Sequence, residues 1–386
     1  MTGSAPARTS PRGPPRVSVI VSCFNYERYV GAAIRSALEQ QSDTEVIVID
    51  DGSRDRSRDV IGSFGARITA LFKANGGQAS ALNAGFRASR GEAVAFLDAD
   101  DVLLPGAAGA IAEALADAAT AKAHWPMPVI DAAGERTGAI QDTDLAEGDL
   151  RRHALEEGPL CDITMPSAAM SGNAFPRWLL ERVMPIPEEP YRIGADEYLF
   201  GLAPAFGRIV RLRPLSLYRM HGDNAHARRP FESMLSFQER HFAIVAAIVG
   251  EACRREGRPH DEQAWARSAW WLRAGRVARA IDACVPAAEP LALIDGAQLG
   301  IGEELRGRRV VPFPEAAGEY AGPPGDDHAA LAELQRVRAA GLRYVALAWP
   351  AFWWLQEYPG LARELRAGQR VLAETEDALV FGPLDA

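Results

Sequence analysis

Cysteine is scarce here: Cys23, Cys161, Cys253 and Cys284 are the only four in 386 residues. They form no CxxC pair and no matched Cys/His spacing, so neither a structural zinc site nor a disulfide framework is indicated. Reduced thiols fit a cytoplasmic protein. Long apolar runs are also missing. The longest candidate, Phe242 to Gly250, falls far short of the roughly 20 residues a membrane helix needs. Association with a membrane face stays open, whereas spanning one is not expected. There is no surplus of positive charge either. The formal net charge is -9 and no long basic stripe occurs, which argues against a nucleic-acid partner. No GxGxxG fingerprint is present, which disfavours a dehydrogenase. The stretch 1–15 is rich in Pro, Arg, Ser and Gly and lacks the apolar core of a signal peptide, so it reads as a disordered lead-in.

What is there has the rhythm of an α/β protein. The length suggests two or three domains. Val17 to Ser22 reads as a buried strand, followed by a polar turn and a helix over about Tyr29 to Gln40. Glu45 to Ile49, Arg67 to Phe72 and Ala93 to Leu97 read as further strands, with a helix over Gln78 to Ser89. Ser53 is expected to cap the helix after the second strand. A helix over Gly106 to Ala119, one strand over His124 to Ile130 and a loop over 131–149 are expected next, with helices near 176–184 and 195–204. Phe231 to about Ala283 reads as helical. From Pro290 a second α/β pattern begins, with strands at Leu291 to Asp295, Val310 to Phe313 and Tyr344 to Trp349 and a helix over Asp327 to Ala340. Val371 to Glu374 and Ala378 to Phe381 are expected to close it as a hairpin. The boundaries expected are a first domain over 16–228, a helical region over 229–286 and a small α/β domain over 287–386.

Strands alternating with helices imply a mostly parallel sheet, and such sheets bind ligands beyond the carboxyl ends of their strands. Three polar clusters fall at those ends: Ser22 to Asn25, Asp50 to Ser53, and Asp98 to Asp101. Asp98-Ala99-Asp100-Asp101 places three carboxylates within four residues, and alternation puts Asp98 and Asp100 on one side. Such charges repel unless a cation sits among them. A hard ion, Mg²⁺ or Mn²⁺, suits carboxylates and also bridges phosphate oxygens. The alternative is an acidic turn capping the next helix.

The segments SVIVSCFNYERYVGAAIRSALEQ, EVIVIDDGSRD and ANGGQASALNAGFRASRGEAVAFLDADD resemble the donor half of family 2 glycosyltransferases, over roughly residues 16–225. The resemblance implies an α/β fold of the GT-A type (Rossmann-like, nucleotide-diphospho-sugar transferase). It implies a metal-dependent, inverting transfer of a sugar from a UDP-, GDP- or dTDP-linked donor. The acceptor would be a glycan, a lipid-linked glycan or a small molecule. It makes Ser22, Phe24, Asp50, Asp51, Asp98 and Asp101 donor-binding candidates; Phe24 would stack on the base or else pack in the core. Asp98, Asp100 and His221 become candidate metal ligands. Gly194-Ala195-Asp196-Glu197 and Tyr218-Arg219-Met220-His221-Gly222-Asp223-Asn224 match the family's later segments, which makes Asp196 the candidate base. Ala195 departs from the pattern, and Glu197 stays open as the alternative. Arg219 would pair with phosphate or brace Asp196. Ser171, Gly172, Asn173 and Glu197 are placed on the acceptor side.

The C-terminal aromatics, Trp349 to Tyr358, suit packing better than sugar stacking. Asp326 and Asp327 read as a helix cap and a favourable charge at its start. Two other functions compete. A sugar nucleotidyltransferase needs a Gly-rich basic loop after the first strand, which SCFNYERYV is not. A non-catalytic carbohydrate-binding or scaffold protein has no need of so many carboxylates.

Overall fold

The computed structural model describes residues 16–40, 43–161, 167–222 and 230–384. The lead-in expected over 1–15, and Asp223 and Asn224 of the later motif, lie outside them. The chain divides into two compact units: residues up to 225 with His241–Trp265, and residues 226–240 with Ala266–Ala386.

The first unit is built on a seven-stranded sheet. Its elements in chain order are β1 (Val17–Cys23), α1 (Val30–Leu38), β2 (Thr44–Asp50), α2 (Ser57–Gly62), β3 (Thr69–Phe72), α3 (Gln78–Ala88), β4 (Ala93–Asp98), β5 (Val102–Leu103), α4 (Ala107–Ala114), β6 (Thr120–His124), β7 (Met127–Ile130), β8 (Arg136–Gln141), α5 (Arg151–Glu156), β9 (Asn173–Pro176), α6 (Arg177–Val183), α7 (Ala195–Phe206), β10 (Arg208–Arg211) and β11 (Ser216–Arg219). The order across the large sheet is β10-β6-β9-β4-β1-β2-β3, and β5-β11-β7-β8 form a second sheet. Strands β1 to β4 run parallel, and β9 is antiparallel to both β4 and β6. The expected α/β class is therefore present.

Alternation along β1 explains the layering. Val17, Val19 and Val21 share a buried cluster with Ala33, Ile34 and Ala37 of α1. Ile20 points the other way, against α3. There α3 comes so close that a Cβ on Gly85 would lie 2.4 Å from Ile20 Cγ2.

Three expectations need correction. The strand read over His124 to Ile130 is two strands in two sheets. Pro126 between them has no N–H for a ladder, and buried Trp125 gives its indole N–H to Ser216 Oγ at 2.8 Å. The loop over 131–149 contains β8, whose six residues are all exposed and carry no core pattern. The helix from Gly106 ends at Ala114 rather than Ala119.

The second unit carries a six-stranded sheet in the order Glu304–Leu305, Arg308–Pro312, Leu291–Ile294, Tyr344–Ala348, Ala378–Gly382, Arg370–Glu374. Leu291–Ile294 runs parallel to both its neighbours, and the last two strands form the expected antiparallel hairpin. Asp326 caps Asp327–Ala339 by accepting from Ala329 N. Asp327 accepts instead from Gly360 N and Leu361 N, at the start of helix Pro359–Gly368. Of the aromatic run, Trp354 and Tyr358 are buried while Trp353 is half exposed, so packing is its main role. Among the described residues no helix is long and apolar enough to cross a membrane.

Lys122 of β6 is buried, with Nζ over the Phe200 ring at 4.8 Å and donating to Ser167 Oγ. Burial pulls its pKa down from 10.5 to about 7. The unfolded chain therefore binds more protons between those values, and stability rises with pH across that window. Lys122→Met is expected to raise the melting temperature at pH 7 and to flatten its rise between about pH 7 and 10. Melts of both proteins at pH 7 and 9 check this; parallel slopes would count against it.

Candidate functional site

In the first unit the strand order reverses beside β1: β2 and β3 follow on one side and β4 returns on the other. The parallel register sets Ser22 opposite Asp98 and Cys23 opposite Asp50. This is where an open α/β sheet leaves a crevice. All three polar clusters meet along that edge.

The loops after β1 and β2 are tied to each other. Asn25 N donates to Ser53 Oγ, Tyr26 N to Ser57 Oγ and Glu27 N to Asp55 Oδ2. In return Arg54 N donates to Asn25 Oδ1 and Arg56 N to Glu27 Oε2. Ser53 is thus taken by Asn25 and does not cap α2, which begins four residues later at Ser57. Asn25 sits at φ 60°, a left-handed conformation that Asn tolerates.

Phe24, in the middle of this, is 41% exposed rather than packed in the core. With Phe72 (48% exposed), Gly52, Arg54, Arg58, Lys73, Ala74 and Asn75 it lines an open cleft of about 640 Å³. Asp50 and Asp51 lie beneath, both buried. Asp50 accepts from Arg58 Nε at 2.6 Å. Asp51 accepts from Lys73 Nζ and from the backbone N–H groups of Gly76 and Gly77. The cleft therefore presents cationic donors and aromatic faces, the surface a nucleotide requires.

The acidic cluster lies at the end of β4. Asp100 Oδ2 is 3.1 Å from His221 Nε2, and Ser22 Oγ donates to Asp98 Oδ1 at 3.4 Å. The His221 ring stacks on Tyr29 at 4.8 Å and meets Tyr26 edge-on at 5.8 Å. Asp101 accepts from Arg219 N at 2.8 Å. The Arg219 side chain is buried. It donates to the Asp100 and Asp131 carbonyls and lies over Tyr29.

Burial pushes the Asp98 carboxyl up to about 8, helped by the charges of Asp100 and then Asp196. Burial, with Asp100 and Asp98, holds Asp101 well above the usual carboxylate range. A site that crowds carboxylates at this cost to itself is suited to a cation. The donor set, carboxylate oxygens and an imidazole, fits Mg²⁺ or Mn²⁺. Among the described residues no three such side chains are already gathered at ligand spacing. Asp100 and His221 touch.

Asp196 and Glu197 occupy the first turn of α7, behind Gly194 at φ 81°. Both are half-buried. They act on different surroundings: the charge of Asp196 is felt by Asp98, that of Glu197 by Tyr191. Tyr191 is a buried hydroxyl 2.7 Å from His241 Nδ1. The charge of Asp196 thus reaches the β4 cluster.

Ser171, Gly172 and Asn173 were expected to line the acceptor side; instead they are interior. Ser171 Oγ accepts from Asp98 N at 2.9 Å, and Asn173 Nδ2 donates to the carbonyls of Ala168 and Ala169. A Cβ on Gly172 would lie 2.6 Å from Ala168 Cβ and 2.9 Å from the Trp125 carbonyl, so packing requires its smallness. Residues missed in the sequence are Arg58, Phe72 and Lys73, together with the Asn75–Gln78 segment. The available signal was a basic, aromatic stretch (Phe72-Lys73) at the end of a third parallel strand, followed at once by Asn-Gly-Gly.

Residues 18–158 match the family model described as glycosyl transferase family 2. An uncharacterized glycosyltransferase of Nostoc sp. is 39% identical over 220 residues, covering 55% of this chain and 66% of that one. EpsJ, an uncharacterized glycosyltransferase of Bacillus subtilis, is 42% identical over 91 residues, 22% of this chain and 26% of that one. The chain thus spans less than two thirds of the length of either relative. Among solved structures, TarS of S. aureus in complex with UDP-GlcNAc shares 19% identity over 60% of this chain and 66% of that one, with a TM-score of 0.46. A superposition that loose says nothing about what this chain binds.

Proposed function

Residues 18–158 are a family 2 glycosyltransferase domain, and from that premise we propose that the chain moves a sugar from a nucleoside-diphosphate donor to an acceptor hydroxyl with inversion. The observation that carries this reading is geometric. At the carboxyl ends of β1, β2 and β4, a cleft lined by Phe24, Phe72 and three cations shares one sheet edge with the acidic cluster that begins at Asp98.

In this reading the base of the donor lies between Phe24 and Phe72, with Arg54, Arg58 and Lys73 facing its polar edge and phosphates. Asp98, Asp100 and His221 would hold a divalent cation, Mg²⁺ or Mn²⁺, which when bound neutralises the diphosphate. Tyr26, Tyr29 and Tyr218 wall the cluster and keep water from the reacting bond. Asp196 accepts the proton of the acceptor hydroxyl. The freed oxygen attacks the anomeric carbon, and the bond to the diphosphate breaks with its electron pair going to phosphate. One displacement of this kind inverts the configuration and needs no covalent enzyme intermediate.

Melts and nucleotide-release assays with UDP-, GDP- and dTDP-sugars, in Mn²⁺ and in EDTA, test the reading. One nucleotide class at about 100 times its Kd should raise the melt by roughly 5–10 °C, an effect of about 2.7 kcal/mol. The same donor should be turned over, and EDTA should remove both effects. A shift without turnover on any acceptor would mark a carbohydrate- or nucleotide-binding protein instead.

A further inference from the structure

We propose that Gln78 is a positioning residue for the reaction: its side chain holds the start of α7 and so sets where Asp196 stands. This rests on the reading of Asp196 as the base.

A helix begins with N–H groups that have no partner inside it. α7 has no side-chain cap of its own, since its N-cap is Gly194. Gln78 Oε1 supplies the missing acceptor, taking Gly194 N at 2.9 Å and Ala195 N at 3.0 Å. Asp196 is the next residue. The favour is returned across the same junction. Gln78 is the first residue of α3, and its N–H donates to Arg192 O at 2.8 Å, while Ala79 N donates to Tyr191 O at 3.1 Å. Two helix starts, 117 positions apart in sequence, thus satisfy one another.

The junction is also fixed to the donor side. Asp51 accepts from Gly76 N and Gly77 N, and Arg192 reaches back to Asn75 Oδ1 at 2.8 Å and to the Gly76 carbonyl. Gly77 has φ 88°, and a Cβ there would lie 2.7 Å from Arg192 Cα. The segment Asn75–Gln78 is therefore a short bridge with the nucleotide cleft at one end and the base-bearing helix at the other. A glutamine is suited to the task because its one amide oxygen takes both N–H groups.

The test uses the full chain. Gln78→Met keeps the length but removes the acceptor; Gln78→Glu keeps an acceptor. Steady-state kinetics with whichever sugar nucleotide is turned over, UDP, GDP and dTDP affinities, and hydrogen exchange of the peptide over 190–198 are measured together. Gln78→Met should lower kcat about 10- to 100-fold, the scale of a base displaced by an ångström. It should leave donor KM and nucleotide affinity within about twofold and speed exchange at Gly194 and Ala195. Gln78→Glu should restore kcat to within about threefold of the parent. An unchanged kcat in Gln78→Met, a loss carried by KM, or no recovery in Gln78→Glu would overturn the proposal. If Gln78→Met does not fold, Gln78→Asn, one methylene too short, replaces it. Asp196→Asn run in parallel keeps the two readings apart: full activity there removes Asp196 as the base. A parent inactive on every donor fails the functional reading, and the exchange data still decide whether Gln78 holds the helix.

Discussion

Asp196→Asn is expected to lower kcat by roughly 10²- to 10⁴-fold, the usual contribution of a positioned general base. The amide has the shape of the carboxylate but cannot take a proton from an attacking hydroxyl. Donor KM should hardly move, because the nucleotide cleft lies among Phe24, Phe72 and Arg58, on other elements. The melt should also stay close to that of the parent, for two opposing reasons. A negative charge in the first turn of α7 is favourable by about 0.3–1 kcal/mol. The same charge is unfavourable to Asp98, whose pKa it helps to raise. Neutralising it gives up the first and relieves the second. Glu197→Gln is the companion variant, and since the field of Glu197 falls on Tyr191, a smaller loss is expected there. Full activity in Asp196→Asn, or a larger loss in Glu197→Gln, would move the base elsewhere.

The first four strands and the helices between them were legible because their signals are local. β-branched runs such as VSVIVS and EVIVI bury on both faces, and the residues that end them are polar. The acidic cluster was legible for the same reason, being four adjacent residues. The errors came where a distant partner outcompetes a local one. Ser53 is well placed to cap a helix, but Asn25, 28 positions away, donates its N–H to it. Arg219 reads as a partner for phosphate or for Asp196, and no local signal shows that it is buried with its Nε donating to the Asp100 carbonyl, 119 positions away. Ser171, Gly172 and Asn173 are placed on the acceptor side by resemblance, and they are interior, with Asn173 pairing with His124 of β6. Gln78 carries no motif of its own to mark it. Its role exists only once α3 and α7 are brought together.

Asp100→Asn is expected to have the second large effect, with opposite signs in two measurements. Transfer should fall by about 10²-fold or more, the scale for removing one preorganised electrostatic group. The Mn²⁺-dependent part of any shift in melt caused by the nucleotide should shrink with it. In EDTA, however, the variant should melt higher than the parent. Asp98 and Asp101 are both held up partly by the charge of Asp100, and the amide removes that repulsion while still able to accept from His221 Nε2. Such a trade is expected of a site that is strained for its task. Undiminished turnover, or a lower melt in EDTA, would show that Asp100 is a structural acid.

The reciprocal bonds between the turns after β1 and β2 bear on how this protein could be re-engineered. Grafting the first turn alone from a relative that prefers another nucleotide would strand the N–H groups of Arg54 and Arg56, and grafting the second alone would strand those of Asn25, Tyr26 and Glu27, so chimeras should be made by exchanging residues 24–27 and 53–57 as one cassette.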